Sequence, residues 1–92
     1  LEDTGLMPAG KAGRATLDGE TALDGRLPVN TSGGLKARGH PLAATGIAQI
    51  VELCWQLRGL AEGRQVQARV GLAQSIGGLA TNNWVVLVEA RV

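Results

Sequence analysis

The chain's only histidine, His40, stands between Gly39 and Pro41, and a helix-like pattern begins directly after it. This spacing describes a flexible loop that delivers one imidazole to the N-terminus of a helix. Pro41 suits the first helical position, where its missing N–H costs nothing, so His40 falls at the cap. Gly33, Gly34 and Gly39 allow backbone angles that bulkier residues resist. The positive end of a helix disfavours imidazolium, so a histidine there stays neutral more easily and can accept a proton. His40 is therefore a candidate general base, although a lone histidine is more often a cap or a satisfied polar group than a catalyst.

Other residues offer less. Cys54 falls on the apolar side of the helix with no histidine near it in sequence, and reads as a small packed hydrophobe. One histidine and one cysteine cannot by themselves assemble a zinc site, so no metal is expected. The glycines fit neither G-x-x-x-x-G-K-[ST] nor a strand followed by G-x-G-x-x-G, which leaves nucleotide binding through such loops unsupported.

The elements that must position the histidine follow from periodicity. Residues 1–26 are punctuated by Gly5, Pro8, Gly10, Gly13, Gly19 and Gly25 and read as an irregular surface loop. Alternation around Asp18-Gly19, with Leu17 before and Thr21 and Leu23 after, permits a small hairpin. Leu27 to Asn30 is a short apolar lead-in, a strand end, that opens the region 27–92. From Pro41 to Arg58 the positions Ile47, Ile50, Val51, Cys54 and Leu57 follow helical spacing, while Gln49, Glu52 and Gln56 share another face. Gly59 stands where a C-cap glycine should. Ala43, Ala44, Thr45 and Gly46 keep the first turn slim.

Gln65 to Ala73 alternates, with Val66, Ala68, Val70 and Leu72 on one side and Gln65, Gln67 and Arg69 on the other, as in a half-buried strand. Trp84 to Val88 is a continuous apolar run, the mark of a strand buried on both faces. Between them, residues 74–82 form a glycine-containing connection too long for a tight hairpin. The order is strand, loop, long helix, strand, loop, strand, with the last two strands free to pair antiparallel. This is an α/β arrangement in which one helix covers only one face. The missing cover is expected from the rest of a larger fold or from another subunit, and the chain alone should expose an apolar patch.

Composition narrows the partners. Ninety-two residues make at most one small domain, and a net charge of +1 points to neither nucleic acid nor an anionic membrane. Two tryptophans without Phe or Tyr leave no platform for stacking bases. One cysteine excludes an internal disulfide and fits a reducing compartment, and no apolar run is long enough to span a bilayer. With no signal peptide visible, and Ala90-Arg91-Val92 unlike a peroxisomal S-K-L address, the expected location is cytoplasmic.

The string Asn30-Thr31-Ser32-Gly33-Gly34-Leu35-Lys36-Ala37-Arg38-Gly39-His40-Pro41-Leu42-Ala43-Ala44-Thr45-Gly46 resembles the histidine loop of thiolases, which runs N-x-x-G-G, then G-H-P, then a small-residue helix start ending in S/T-G. Leu27 to about Gly59 is most similar to the sterol-carrier-protein-2-like thiolases, which share L-P-V-N, S-G-G-L-K and A-T-G-x-A-Q-I. The resemblance extends from about Gly5 to Val88. It implies the C-terminal part of a thiolase fold: strand, G-H-P loop, long helix and two final antiparallel strands. A thiolase is several times longer, and a chain that begins with Leu1 reads as part of one. The family's second histidine or asparagine motif is absent.

What the resemblance implies is acyl transfer on coenzyme A thioesters in lipid metabolism, as in acetyl-CoA acetyltransferase. No further cofactor is implied, and the assembly expected is a homo-oligomer. Position by position, His40 would be the general base for a cysteine nucleophile supplied by the missing N-terminal part, and would donate into one oxyanion hole. Gly77 would lend its backbone N–H to the other oxyanion hole, which needs only a backbone; otherwise Gly77 and Gly78 form an ordinary wide turn. Asn30, Gly39 and Gly78 would shape the substrate loops. Many thiolases carry a cysteine at the position of Ser75, acting as acid and base at the substrate's α-carbon. Serine is a far weaker acid, which sets condensation and thiolytic cleavage in question and leaves a second reading, a catalytically degenerate subunit that binds acyl-CoA or scaffolds a partner. Ala43 also replaces a glycine common in the family. Lys36 and Arg38 could meet a coenzyme A phosphate or remain solvated surface charges.

Overall fold

A computed structural model describes residues 1–91. They fall into two units, Leu1–Thr31 and a second that begins at Ser32.

In the first unit the expected hairpin is replaced by a helix, α1, over Ala12–Leu17. Asp18-Gly19 closes it rather than turning a hairpin. The Asp18 N–H donates to the Arg14 carbonyl at 2.9 Å and the Gly19 N–H to that of Thr16 at 3.1 Å. Residues before the turn are thus already bonded along a helix and have no donors left for a partner strand. Leu27 to Asn30 is not a strand either. Leu27 and Val29 donate to the carbonyls of Glu20 and Thr21 at 2.9 and 3.1 Å, but Pro28 has no N–H and Asn30 turns to φ +52°, so no ladder develops.

Glu2 organises the start of α1. Its two carboxylate oxygens accept the N–H groups of Gly10 at 2.8 Å and Ala12 at 2.9 Å. These bonds, Gly10's first, hold the carboxyl below its ordinary value of 4.5. A carboxyl with a lowered folded-state pKa contributes stability above its ordinary value and loses it as pH falls through the folded one. Hydrogen exchange should therefore show the Gly10 and Ala12 amides losing protection below about 4.5 in the native chain, and Glu2→Gln should flatten that dependence.

Among its described residues the second unit holds two α-helices, a single 3-10 turn over Glu62–Arg64 and one hairpin. The glycine loop contains a short helix, α2, over Gly34–Arg38, entered through Gly33 at φ 86°. The long helix, α3, spans Thr45–Leu57 and starts later than Pro41. Ala43 explains the delay: its φ of +69° is left-handed, so Pro41 to Ala44 form a turn and α3 begins after it. Its end follows the sequence. Gly59, at φ +72°, donates to the Gln56 carbonyl at 3.3 Å while Leu60 donates to that of Trp55 at 2.8 Å, the Schellman pattern.

Strand β1 (Val70–Gly77) and strand β2 (Asn82–Glu89) pair antiparallel, from Val70 opposite Glu89 to Gly77 opposite Asn82. The connection is shorter than expected, a turn over residues 78–81. The early part of the expected strand, residues 65–69, lies outside the ladder. The Arg69 carbonyl still accepts the Ala90 N–H at 2.9 Å, while the groups nearer the start of this segment are engaged elsewhere. The Val66 N–H donates to Gln56 Oε1 at 2.9 Å, and Gln65 Oε1 accepts the Ala61 N–H at 3.0 Å.

Burial also inverts the expected faces. The odd residues of β1 meet α3: a Cβ added at Gly71 would fall 2.7 Å from Leu53 Cδ2, and Ala73 is buried. The helix lies so close that only small residues fit, and Val70 and Ile76 are left exposed on the other side. On α3 the polar positions turn inward. Gln49 Nε2 donates to the Gln74 carbonyl at 3.0 Å, and Gln56 is only 5% exposed, while Ile47 is 69% exposed. The apolar run of β2 has the predicted character but lacks its cover, with Trp84 71% and Leu87 68% exposed on opposite faces. No helix among the described residues is long and apolar enough to cross a membrane.

Candidate functional site

His40 is exposed and follows Gly39, whose φ of 83° and ψ of 178° belong to a region open essentially to glycine alone. That conformation ends α2, where the Gly39 N–H donates to the Leu35 carbonyl at 2.8 Å, and sends the chain into the Pro41 turn. His40 is not the helix cap, a position that belongs to Ala44. Its side chain nevertheless returns to the helix start. Nδ1 lies 2.7 Å from Oγ1 of Thr45, the first residue of α3, and that hydroxyl donates to the Pro41 carbonyl at 3.2 Å. Thr45 is 7% exposed.

The next residue joins this end of α3 to β1. A Cβ on Gly46 would stand 3.6 Å from Ser75 Oγ, so the start of the helix faces the serine across about the width of a methyl group. One helical turn thus carries Thr45, which holds the imidazole, and Gly46, which faces Ser75. Gly77 lies on the same side of β1 as Ser75, by the period of two. It pairs with Asn82 and closes the ladder, and a Cβ there would approach Asn82 Cβ to 3.3 Å. Ser75 and Gly77 are strand residues rather than members of a wide loop. Gly78, at φ +61°, opens the tight turn that follows. Asn30 lies in the first unit, exposed and left-handed at φ +52°.

Ala43 bears a conformational cost because its methyl is held at positive φ. Ala43→Gly should raise stability by about 0.5–1 kcal/mol, the relief of left-handed strain less the extra freedom of glycine when unfolded. Chemical denaturation of the two proteins, compared by midpoint at unchanged slope, measures it.

Sequence reasoning missed a groove of about 520 Å³ along the outer side of α3. Ile47, Val51 and Trp55 form its apolar floor, and Arg38 and Arg64 border it. Arg64 is fixed by Glu52, Nη2 to Oε2 at 2.9 Å and Nε to Oε1 at 3.0 Å, with its guanidinium carbon 5.6 Å from the Trp55 ring centre. The bond to Glu52 holds the Arg64 guanidinium above its ordinary range. The spacing of Ile47, Val51 and Trp55, four apart, is the signal that could have revealed it. His40 does not line this groove. Lys36 and Arg38 are exposed, and Cys54 is half-buried within α3 with its thiol free.

A family model described as thiolase C-terminal domain-like matches residues 1–90. The chain is 60% identical over 79 residues to the acetyl-CoA acetyltransferase of Methanothermobacter thermautotrophicus, covering 85% of this chain and 21% of that protein. It is 51% identical over 77 residues to sterol carrier protein 2 of Bos taurus, covering 83% of this chain and 14% of that one. To the non-specific lipid-transfer protein-like 2 of Caenorhabditis elegans it is 42% identical over 77 residues, 83% of this chain and 19% of that protein. The chain therefore spans about a fifth or less of the length of these relatives. With a helix, an antiparallel strand pair and a family match running nearly end to end, the chain belongs to the thiolase C-terminal domain-like family.

Proposed function

We propose that this chain supplies the histidine of a thiolase-like acyl-CoA acyltransferase, with His40 as general base for a cysteine thiol contributed by polypeptide outside residues 1–92. The observation that carries the reading is the head of α3, where Thr45 Oγ1 stands 2.7 Å from His40 Nδ1 and Gly46 faces Ser75 with room for only a methyl between them. A free thiol titrates near pH ~8.5, so at neutral pH it needs a base beside it. His40 Nε2 takes the thiol proton, and the thiolate sulfur attacks the thioester carbonyl. Coenzyme A leaves as its thiol, taking the proton back from Nε2. The Gly77 N–H, which faces its paired residue Asn82 at the end of the ladder, would reach an oxyanion only if that last rung opens. The acetyl-CoA acetyltransferase among the relatives supports this chemistry, and the bare faces of β2 support the need for further polypeptide, from the rest of a longer chain or a like subunit, to cover them. Acyl exchange between a coenzyme A thioester and free coenzyme A, measured on the complete protein, tests it: turnover unchanged in His40→Ala removes His40 as the base.

Ser75 favours a second reading. A hydroxyl in the position of an acid–base thiol leaves proton transfer at carbon unserved, and the relatives named for sterol carriage and lipid transfer fit a subunit that binds acyl-CoA or scaffolds a partner without turnover. Full turnover with acetoacetyl-CoA would exclude it.

A further inference from the structure

We propose that Thr45 is the positioning residue for His40, fixing the imidazole as the tautomer with its proton on Nδ1 and its lone pair on Nε2. The inference rests on the acyl-transfer reading above and adds to it the group that selects the reactive nitrogen. Thr45 Oγ1 has two neighbours, the Pro41 carbonyl at 3.2 Å and His40 Nδ1 at 2.7 Å. A hydroxyl carries one proton and two lone pairs. The Pro41 carbonyl can only accept, and although it also takes the Ala44 and Thr45 N–H groups at 3.0 and 3.1 Å, a hydroxyl proton directed to it is the arrangement that keeps the two oxygens from facing each other bare. The contact with Nδ1 is then satisfied only if the ring donates. The opposite assignment, with the hydroxyl donating to Nδ1, would set Oγ1 against the carbonyl oxygen with no hydrogen between them. For a side chain 7% exposed, water is poorly placed to repair that.

Two effects follow for the base. The ring is pinned at Nδ1, so Nε2 is the nitrogen left to take the thiol proton. When it does, the Nδ1–H bond to Thr45 becomes charge-assisted, which stabilises the imidazolium formed in that step. Gly39 and Pro41 set the backbone on either side, so the ring has one anchor and a stiff tether. Thr45 touches no reacting atom; it acts through the ring.

The test uses the intact protein with nitrogen-15 in its histidines, His40 being assigned by difference against His40→Asn. In the neutral ring, Nδ1 should carry the proton and Nε2 should not. Thr45→Val should move His40 toward the Nε2–H form and lower kcat for acyl exchange about 10- to 100-fold, with KM little changed, a part of what a positioned base supplies. Thr45→Ser, which keeps the hydroxyl, should restore both the tautomer and the rate. Nε2–H dominating in the native protein, or a tautomer unmoved by Thr45→Val, overturns the proposal even if Thr45→Val is slow. Full activity in His40→Ala would instead remove the acyl-transfer reading, whatever the tautomer.

Discussion

His40→Ala in the complete protein is expected to lower acyl exchange about 10²- to 10⁴-fold, the usual contribution of a positioned base, and to leave the fold unchanged. The ring is exposed and makes its bond at Thr45, so its removal opens no cavity in the core. Thr45 Oγ1 keeps its bond to the Pro41 carbonyl, and the turn ahead of α3 is retained by the Ala44 and Thr45 N–H groups at 3.0 and 3.1 Å from the same oxygen. A loss in kcat with KM unchanged would place the lost interaction in the transition state. A thermal or denaturant midpoint equal to that of the native protein would exclude a folding defect. The degenerate-subunit reading expects the contrary, no exchange to lose and acyl-CoA binding equal in both proteins. A binding measurement beside the rate assay therefore separates the two.

The largest expected effect on stability belongs to Gln56→Leu, a change that conserves volume and hydrophobicity would favour. Gln56 is 5% exposed and its amide is fully engaged, donating to the Arg64 carbonyl at 2.8 Å and to Glu52 Oε1 at 3.1 Å, and accepting the Val66 N–H at 2.9 Å. Gln65 answers from the loop, its Nε2 donating to the Gln56 carbonyl at 2.7 Å. Leucine would leave the Val66 N–H and Arg64 carbonyl without partners in a part-buried place, at about 2–4 kcal/mol for the two together. Transfer of an apolar side chain offsets only a part of this, since its surroundings are backbone polar groups. The Val66 amide reports it most directly: its hydrogen exchange should quicken by a factor of at least about 30, set by 2 kcal/mol. An unchanged rate at Val66 would show that the loop is held by other contacts.

The long helix, its glycine stop and the final strand pair were legible because each is a local pattern. Ile47, Ile50, Val51, Cys54 and Leu57 recur at helical spacing, Gly59 supplies the left-handed stop, and residues 84–88 form an unbroken apolar run. The uncovered state of that run was legible too, from the mismatch between one helix and two apolar faces. The short helices α1 and α2 were not, since a helix of five or six residues offers too little length for a period to emerge. The inward turn of Gln49 and Gln56 was illegible for a different reason. A glutamine looks solvated in sequence, and becomes interior only because carbonyls await it, that of Gln74 from 25 residues along the chain for Gln49 and that of Arg64 from the loop after α3 for Gln56. The Gln56 amide also draws the start of residues 65–69 away from the strand, by accepting the Val66 N–H. At the site, His40 was legible from its glycine and proline neighbours, whereas its bond to Thr45 required the left-handed Ala43 that delays α3.

The hairpin of β1 and β2 has a further consequence. Two strands form one ladder, so each keeps an outer rim of unmatched N–H and C=O groups, and on β2 that rim is bordered above and below by Val, Leu and Trp side chains. Such a rim is a template on which any extended polypeptide of similar character can be laid down, its own copies first, in the manner of cross-β growth. Freshly made chains carrying this segment would need it sheltered promptly, and the speed of that sheltering, more than the strength of any one contact, sets how much of the protein escapes deposition as insoluble aggregate.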